Sequence, residues 1–386
     1  MNEFSDRRLE SVKFIMLFGL GFPLQVMWTS DMRIPPRNLA GPWRLRHSLA
    51  SVAALAALAG SSFAGLAAEP ELFRFQYEQV HMGQVVKLLL YAADEPSANL
   101  AADGAYARIA QIDGIMSDYK PESELSLLSQ SAGIGRALPL SDELWFVLDR
   151  AQRLAADSGG AFDVTVGPYV RLWRRARRTR EFPTADRLAE ARAAVGYKHL
   201  RLDAEKKTAE LLAAGMRLDL GGIAAGYAAD EALTVLTAQG ITRAMIDASG
   251  DIVVGDPPPG AEGWRIGIAP LTDPKGPPSR FLLLKSASVT TSGDAFQHVE
   301  IGGKRYSHIV DPHTGLGLTD QSSVTVVARD GTTADSLATA VSVLGPMRGL
   351  ELIERTAGAA ALIVRNVDGE LETRESRRLN EFEAKP

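Results

Sequence analysis

The sequence predicts an α+β fold, a mixed sheet with packed helices arranged in one or two lobes. Segments with the alternating apolar pattern of strands occur in runs, and segments with helical spacing interrupt those runs only in places. The composition is compatible with a large core, because 46% of the 386 residues are hydrophobic and 23% are charged. No low-complexity linker or internal repeat divides the chain after residue 73.

Local patterns predict the elements of the N-terminal half. Alternating apolar residues at 73–77 and an apolar run at 85–91 predict two strands. Apolar residues at helical spacing predict the next two helices, the second of which ends at Gly159–Gly160, where positive φ is expected. In chain order, the remaining predictions are helices 103–116, 142–158 and 185–195, followed by strands 200–202 and 216–220.

The C-terminal half is richer in strands. Gly221–Gly222 leads into a helix that Gly240 closes. A later helix places Leu337, Val341 and Leu344 where they can face the core. In chain order, the predicted elements are helix 225–239, strands 244–248, 252–254, 264–269, 281–284, 288–291, 296–301 and 324–328, helix 334–344 and strand 359–365.

Residues 1–69 are predicted to be a targeting region, and residues 70–386 a catalytic domain. A basic flank precedes an apolar run at 49–66, which ends at Ala67–Ala68 before an acidic stretch. This arrangement is typical of a secretory signal. We therefore expect an exported protein, in the periplasm or on the outer face of the inner membrane.

A second apolar run, at 13–28, is short and broken by Gly and Pro, so it does not predict a membrane span. Residues 1–31 are compatible with a misassigned start, with Met32 as the true first residue. The alternative for the whole region is an uncleaved anchor. Such an anchor would keep the domain on the same side and associate it with the membrane through the N-terminus.

Bulk properties exclude several classes of site and partner. The chain has no cysteine, which excludes disulfides, zinc–thiolate sites and thiol nucleophiles. A net charge of -5 provides no basic field for nucleic acid, so no nucleic-acid partner is expected. Residues 171–180 are a local exception, with six arginines in ten residues. This segment either contacts an anionic membrane or a phosphate-bearing ligand, or forms an ordinary solvated face.

Two candidate sites lie near predicted helix starts. Asp335 and Thr339 are four residues apart, so both side-chain oxygens share one helix face and suit a hard cation such as magnesium. The alternative is that Asp335 stabilises the helix start, with Thr332 as N-cap. The segment 218–227 runs from Asp219 through two glycines into a helix, which brings backbone close to a ligand. An ordinary strand-to-helix turn explains the same pattern.

Two further segments have the residue types of a binding pocket. His308 lies in an apolar stretch before the turn 311–315, where its pKa can be tuned for general-base catalysis. A structural histidine is the alternative. In 158–168, small residues flank Phe162 and Asp163, which suits backbone lying against a flat ring while a carboxylate reads the edge of that ring. A helix cap with a buried aromatic residue is the alternative there.

Taken in order, these segments resemble the ApbE family of FAD:protein FMN transferases over nearly all of residues 75–365. Single motifs are unspecific, but the ordered set is highly specific. The segments that carry the resemblance are His81–Gly83, Met116–Pro121, Gly160–Asp163, Asp219–Gly222 with Gly226–Tyr227, Ser249–Asp251, Thr291–Asp294, His308–Gly315 and Ala334–Thr339.

The resemblance implies a flavin site with FAD as substrate. Met82 would pack against a ring of the nucleotide, Tyr119 would flank it, and Asp219 would contact it. Another part of FAD would be held by Ala161, Phe162 and Asp163. Magnesium would be bound beside the pyrophosphate by the Gly222 carbonyl, Asp335 and Thr339.

The same resemblance implies a reaction and a partner. FMN would be transferred to a Ser or Thr hydroxyl of an exported flavin-acceptor protein, with His308 as the base and AMP as the leaving group. An FAD pyrophosphatase that gives FMN and AMP is one alternative, and a periplasmic flavin-binding protein without catalysis is another. The chain departs from the family pattern at Gln84, Ala225 and Ser249, where Thr, Lys and Gly are usual. The missing lysine removes a positive charge that residues 171–180 could replace.

Overall fold

The structure, a computed structural model, describes residues 71–294, 297–367 and 369–384. The predicted targeting region at 1–69 lies outside these residues. The helices are α1 (Glu95–Met116), α2 (Glu124–Gln130), α3 (Asp142–Asp157), α4 (Gly167–Thr179), α5 (Ala185–Ala193), α6 (Ala224–Ala238) and α7 (Gly331–Arg355), with short 3-10 turns at Tyr197–His199 and Arg377–Glu381.

Strands separate these helices and confirm the α+β prediction. They are β1 (Phe73–His81), β2 (Gln84–Ala92), β3 (Leu138–Pro139), β4 (Leu200–Asp203), β5 (Thr208–Leu211), β6 (Ala244–Ala248), β7 (Asp251–Val254), β8 (Trp264–Ile268), β9 (Arg280–Leu284), β10 (Ala287–Gly293), β11 (His298–Ile301), β12 (Lys304–Ser307), β13 (Gln321–Ala328), β14 (Ala360–Val367) and β15 (Glu370–Glu375).

Eight strands form the central sheet, in the order β1-β2-β6-β7-β10-β13-β14-β15. Every neighbouring pair in it is antiparallel. Both faces are covered, because alternate residues of one strand enter different cores: Leu88 and Leu90 pack with helices α1, α6 and α7, whereas Leu89 packs with the β8–β9 hairpin. Among the described helices, none has the length and hydropathy needed to cross a bilayer.

Helices α6 and α7 cross closely because glycine replaces a side chain where they meet. A Cβ on Gly226 would overlap the carbonyl oxygen of Gly331 and lie 2.9 Å from Cβ of Asp335. The crossing therefore brings the start of α6 against the first turns of α7.

A third core joins α4 and α5 to the β11–β12 hairpin. Tyr169, Trp173 and Ala176 form the buried face of α4, at helical spacing. The rings of Trp173 and Tyr306 are 4.9 Å apart, and Nε1 of Trp173 donates a hydrogen bond of 2.9 Å to the Gly315 carbonyl. This core fixes α4 against the segment that contains His308.

Most of the predicted elements are present, and three predictions need correction. The helix predicted at 103–116 begins earlier, at Glu95, because Asp94 caps it there by accepting from the backbone N–H of Ser97 at 2.8 Å. The strand predicted at 216–220 is wrong: only one isolated bridge, between Val166 and Arg217, forms there. The backbone N–H of Leu218 instead donates to Oγ of Ser129, and that of Asp219 to the Val164 carbonyl. The helix predicted at 334–344 begins earlier, at Gly331, and its predicted end falls at a kink where Gly345 has a φ of 72°.

Candidate active site

The first turn of α7 is anchored by acceptors from two directions. Asp330 is the N-cap, because its Oδ1 accepts from the backbone N–H of Thr333 at 2.7 Å. Asp230, on α6, accepts from the backbone N–H groups of Gly331 and Thr332 at 2.6 and 2.9 Å. The alternative in which Thr332 caps this helix is therefore wrong, and Asp335 lies inside the helix, beyond its first turn.

The three predicted magnesium ligands lie together at the α6–α7 crossing. Asp335 is only 4% exposed, and its Oδ2 accepts a hydrogen bond of 3.1 Å from the backbone N–H of Gly226. One turn before Gly226, a Cβ on Gly222 would lie 2.7 Å from Oγ1 of Thr339. The spacing of Asp335 and Thr339 thus aims both side chains at the turn that carries Gly222.

Carboxylates concentrate negative charge beside this crossing. Burial raises the pKa of Asp335 well above its usual range, and the neighbouring Asp251 raises it further. Burial also raises the pKa of Asp251 to about 7, although Oγ1 of Thr290 donates to it at 2.8 Å. Buried acids of this kind hold protons or attract a cation. The oxygen donors of Gly222, Asp335 and Thr339 fit magnesium, which takes few protein ligands.

Within residues 71–294, 297–367 and 369–384, no three His, Cys, Asp or Glu side chains form a cluster suited to a metal. The predicted set is of another kind, since it uses one carboxylate, one hydroxyl and one carbonyl. Magnesium at this crossing accordingly stays a prediction.

Arg174 organises a second cluster, on the inner face of α4. Its guanidinium forms an ion pair with Asp118 and another, of 2.9 Å, with Oδ2 of Asp219. The same guanidinium lies 4.4 Å above the ring of Tyr119, which is 74% exposed. Two of the predicted nucleotide contacts, Tyr119 and Asp219, are therefore held by one arginine.

The turn after Asp219 is held by that residue's other oxygen, because Oδ1 accepts from the backbone N–H of Gly221 at 2.9 Å. The backbone N–H of Asp219 donates to the Val164 carbonyl at 2.8 Å. This bond ties the 161–167 loop to the turn that leads to Gly222. The second and fourth candidate segments are thus neighbours in space.

Ala161 and Phe162 are buried in that loop, and Asp163 shapes it. Oδ1 of Asp163 accepts from the N–H and hydroxyl of Thr165 at 2.8 and 2.7 Å, and Oδ2 accepts from the N–H of Tyr197 at 2.8 Å. Both oxygens of Asp163 are therefore engaged with the protein itself and hold the 161–167 loop against Tyr197.

His308 is oriented by one backbone carbonyl. The Gln297 carbonyl oxygen lies 2.9 Å from the backbone nitrogen of His308 and 3.1 Å from its Nδ1. A carbonyl only accepts, so Nδ1 carries the ring proton and Nε2 is the basic nitrogen. Burial lowers the pKa of His308 to about 4. The positive charge of Arg177 also lowers this pKa, whereas the negative charge of Asp294 raises it. The imidazole is consequently neutral at pH 7, as a base must be.

The turn after His308 contacts the 158–163 segment. Nε2 of His313 lies 3.0 Å from the Gly159 carbonyl, and Nδ1 of His313 lies 3.0 Å from Asp311. This contact brings the third candidate segment against the fourth. The described contacts therefore join 158–168 to both the Asp219 turn and the His308 segment.

Met82 lies at the turn between β1 and β2, with a φ of 52° that a side chain rarely adopts outside functional or tight turns. Its side chain packs against the main core. Ser249, between β6 and β7, also has a positive φ, 55°, and its hydroxyl donates to the Val85 carbonyl at 3.0 Å. This bond holds Ser249 in a conformation that favours glycine.

Sequence reasoning assigned no individual role to Asp118, Asp230 or Asp251, and it considered Arg174 only as one of the arginines of residues 171–180. Asp118 and Asp251 lie inside motifs that carry the family resemblance. Membership of those motifs is the sequence signal that could have identified them as site residues. For Arg174 the signal was the apolar spacing of α4, which turns one side of an arginine-rich helix toward the protein.

Solved structures similar to this chain include flavin transferases. The chain superimposes on the flavinyl transferase ApbE of Pseudomonas stutzeri with a TM-score of 0.71 at 30% identity, covering 80% of this chain and 96% of that one. The TM-score with the flavin transferase ApbE of Vibrio cholerae is 0.73 at 27% identity, covering 81% and 100%.

Curated relatives agree with this. The FAD:protein FMN transferase of Haemophilus influenzae is 34% identical over 269 residues, which are 68% of this chain and 78% of that protein. The protein of that name from Treponema pallidum is 32% identical over 302 residues, 73% and 82% of the two chains. The fold and these relatives together show an enzyme of the transferase class. The ApbE family model matches residues 82–363, so the chain belongs to the ApbE family, as its motifs predicted.

Proposed function

We propose that this protein transfers FMN from FAD to a Ser or Thr hydroxyl of an exported flavin-acceptor protein and releases AMP, in a magnesium-dependent reaction. The observation that carries the proposal is the meeting of Gly222, Asp335 and Thr339 at the α6–α7 crossing. Family membership supports the flavin chemistry.

The crossing would bind the pyrophosphate of FAD through a cation. The carboxylate of Asp335, the hydroxyl of Thr339 and the carbonyl of Gly222 would hold magnesium, which neutralises charge on pyrophosphate oxygens when it is bound. Asp335 suits this function because, within the described residues, its buried carboxylate accepts a single hydrogen bond, from the backbone N–H of Gly226, and a cation would compensate the rest of its charge.

His308 would take the proton of the acceptor hydroxyl on Nε2. The hydroxyl oxygen then attacks the FMN phosphorus, the bond from this phosphorus to the AMP oxygen breaks, and AMP leaves with the bonding electrons. A pKa of about 4 makes His308 a weak base in the enzyme without bound substrate. A bound pyrophosphate would raise that pKa toward neutrality, because negative charge nearby favours the imidazolium.

Arg174 would compensate for Ala225, which stands where the family usually has lysine. It holds Asp219 and stacks on Tyr119, so it fixes two nucleotide contacts and also places a positive charge beside them. This is the contribution expected from residues 171–180.

The location of the protein is part of the proposal. The signal-like pattern at 49–68 supports export, so the acceptor would be a protein on the periplasmic side, with the enzyme free or associated with the membrane through its N-terminus.

Incubation of the purified protein with FAD, magnesium and a candidate acceptor tests the function. Covalent flavin fluorescence on the acceptor, removed by substituting the acceptor hydroxyl, is the expected result. Free FMN and AMP without labelling would make the protein a pyrophosphatase, and intact FAD would leave only a flavin-binding protein.

A further inference from the structure

Within the described residues, Arg177 has no carboxylate partner, unlike the other inward-facing arginine of α4. Arg174, one turn earlier, pairs with Asp118 and Asp219. Nη1 of Arg177 lies 3.5 Å from Oε1 of Gln297, which is the limit of hydrogen bonding. Within the described part of the chain, Arg177 forms no ion pair with an acid.

The partial burial of this guanidinium carries a cost. Burial lowers the pKa of Arg177, and the charge of Arg174 lowers it further, against the opposing effect of Tyr119. Arginine nevertheless remains protonated in proteins, so its donors stay charged and incompletely satisfied. Such a group is stabilised when an anion arrives to accept its hydrogen bonds.

The position of Arg177 indicates which anion this is. Gln297 links the two side chains, because its amide oxygen faces Arg177 and its carbonyl orients the ring of His308. Tyr119, predicted to flank the nucleotide, is also within electrostatic range of Arg177. The guanidinium therefore lies between the proposed base and the proposed nucleotide site.

We propose that Arg177 binds the phosphate of the FMN half of the substrate, the group that is transferred, and holds it beside Nε2 of His308. This inference rests on the proposed function. In that reaction the atom attacked next to the base is the FMN phosphorus, so a phosphate is the anion expected at this position. The planar fork of arginine matches two phosphate oxygens at once.

Binding of riboflavin and FMN separates this role from a structural one, because the two ligands differ only in the phosphate. Titration of the full chain with each ligand in one magnesium buffer is expected to show FMN affinity about 10- to 100-fold lower in Arg177→Gln, the range for a lost charge-assisted hydrogen bond. Riboflavin affinity should stay within about twofold, and Arg178→Gln, which removes an exposed charge from the same helix, should change neither affinity.

A second readout follows the neighbouring base. Arg177 lowers the pKa of His308, whereas Asp294, itself paired with Arg305 at 2.7 Å, raises it. The imidazole titration of His308, followed by NMR in the free protein, should therefore move to higher pH in Arg177→Gln and stay close to the parental position in Arg177→Lys, which keeps the charge.

The outcomes are distinguishable. Equal losses for riboflavin and FMN, or unchanged FMN affinity with a raised KM for the acceptor, would overturn the phosphate role of Arg177. A parental protein that binds no flavin would overturn the proposed function itself. A parental protein that binds and transfers FMN, together with a variant that binds FMN equally well, would remove only the inference about Arg177.

Discussion

Gly222 and Thr339 approach so closely that the position of a Cβ on Gly222 lies 2.7 Å from Oγ1 and 3.2 Å from Cγ2 of Thr339. No positive φ is recorded at Gly222, so space and not backbone conformation requires glycine there. In the proposed function, the Gly222 carbonyl and the Thr339 hydroxyl would share one small cation at this approach.

Gly222→Ala should therefore displace Thr339. We expect magnesium-dependent turnover to fall at least about tenfold and stability to fall by about 1–3 kcal/mol, the cost of overpacking. Turnover at saturating FAD and denaturant unfolding measure the two effects. Gly114→Ala is the matched control, because Gly114 lies within α1 and has no atom within 4 Å of its Cβ position. A parental rate in Gly222→Ala would exclude this approach from the magnesium site.

Asp335→Asn and Asp335→Ala test the carboxylate. The amide oxygen of Asn can still accept from the N–H of Gly226, and it removes a buried charge that lies beside Asp251. We expect magnesium-dependent turnover to be abolished in both variants, while the thermal midpoint of Asp335→Asn equals or exceeds the parental value without magnesium. An unchanged rate would remove the metal assignment. Asp186→Asn, at the exposed start of α5, should change neither property.

Local spacing was sufficient to predict part of this site. Asp335 and Thr339 share a helix face because they are four residues apart, and Gly159–Gly160 ends α3 as expected. The approach of Gly222 to Thr339 is different. It depends on how α6 crosses α7, so only the family resemblance indicated it.

The structure of α4 explains why sequence reasoning did not identify the contacts of Arg174. Its many arginines favour a solvated face, but Tyr169, Trp173 and Ala176 turn one side of the helix inward and carry Arg174 with it. The partners of Arg174 are 56 and 45 residues away, beyond the reach of periodicity. The same limit applies to 216–220, whose short apolar alternation reflects packing against a loop and not pairing in a sheet.

The pKa of His308 predicts the pH dependence of transfer. Since the free enzyme keeps this imidazole neutral down to about pH 4, kcat/KM should show no loss attributable to His308 between pH 8 and pH 5 and should fall about tenfold per unit below pH 4. A fall in kcat/KM that begins near pH 6.5 would show that the ring is not desolvated in the free enzyme.

His308→Ala should slow transfer by about 100- to 10,000-fold with FAD still bound.

The same lowered pKa predicts a stability effect. The folded state disfavours the imidazolium, so the contribution of His308 is fully present above its unfolded pKa, near 6.5, and is lost as pH falls toward about 4. Free energies of unfolding measured between pH 7 and pH 4 should therefore decline more steeply in the parental protein than in His308→Asn, which has no titrating ring. Parallel declines would contradict the shift.

Arg174→Gln tests whether one guanidinium supports the nucleotide contacts. The substitution leaves Asp118 and Asp219 close together without their shared cation. Burial already raises the pKa of Asp219, and the substitution removes the charge of Arg174 that lowers it. We expect a stability loss of about 1–3 kcal/mol and weaker FAD binding, since hydrogen bonds to charged groups contribute on this scale. In a double-mutant cycle, Asp219→Asn should recover part of the stability loss by removing the uncompensated charge, but it should not restore FAD affinity, because the positive charge beside Tyr119 stays absent. Additive stability changes would show that the pair acts independently, and parental FAD affinity in Arg174→Gln would assign compensation for the missing lysine to another group.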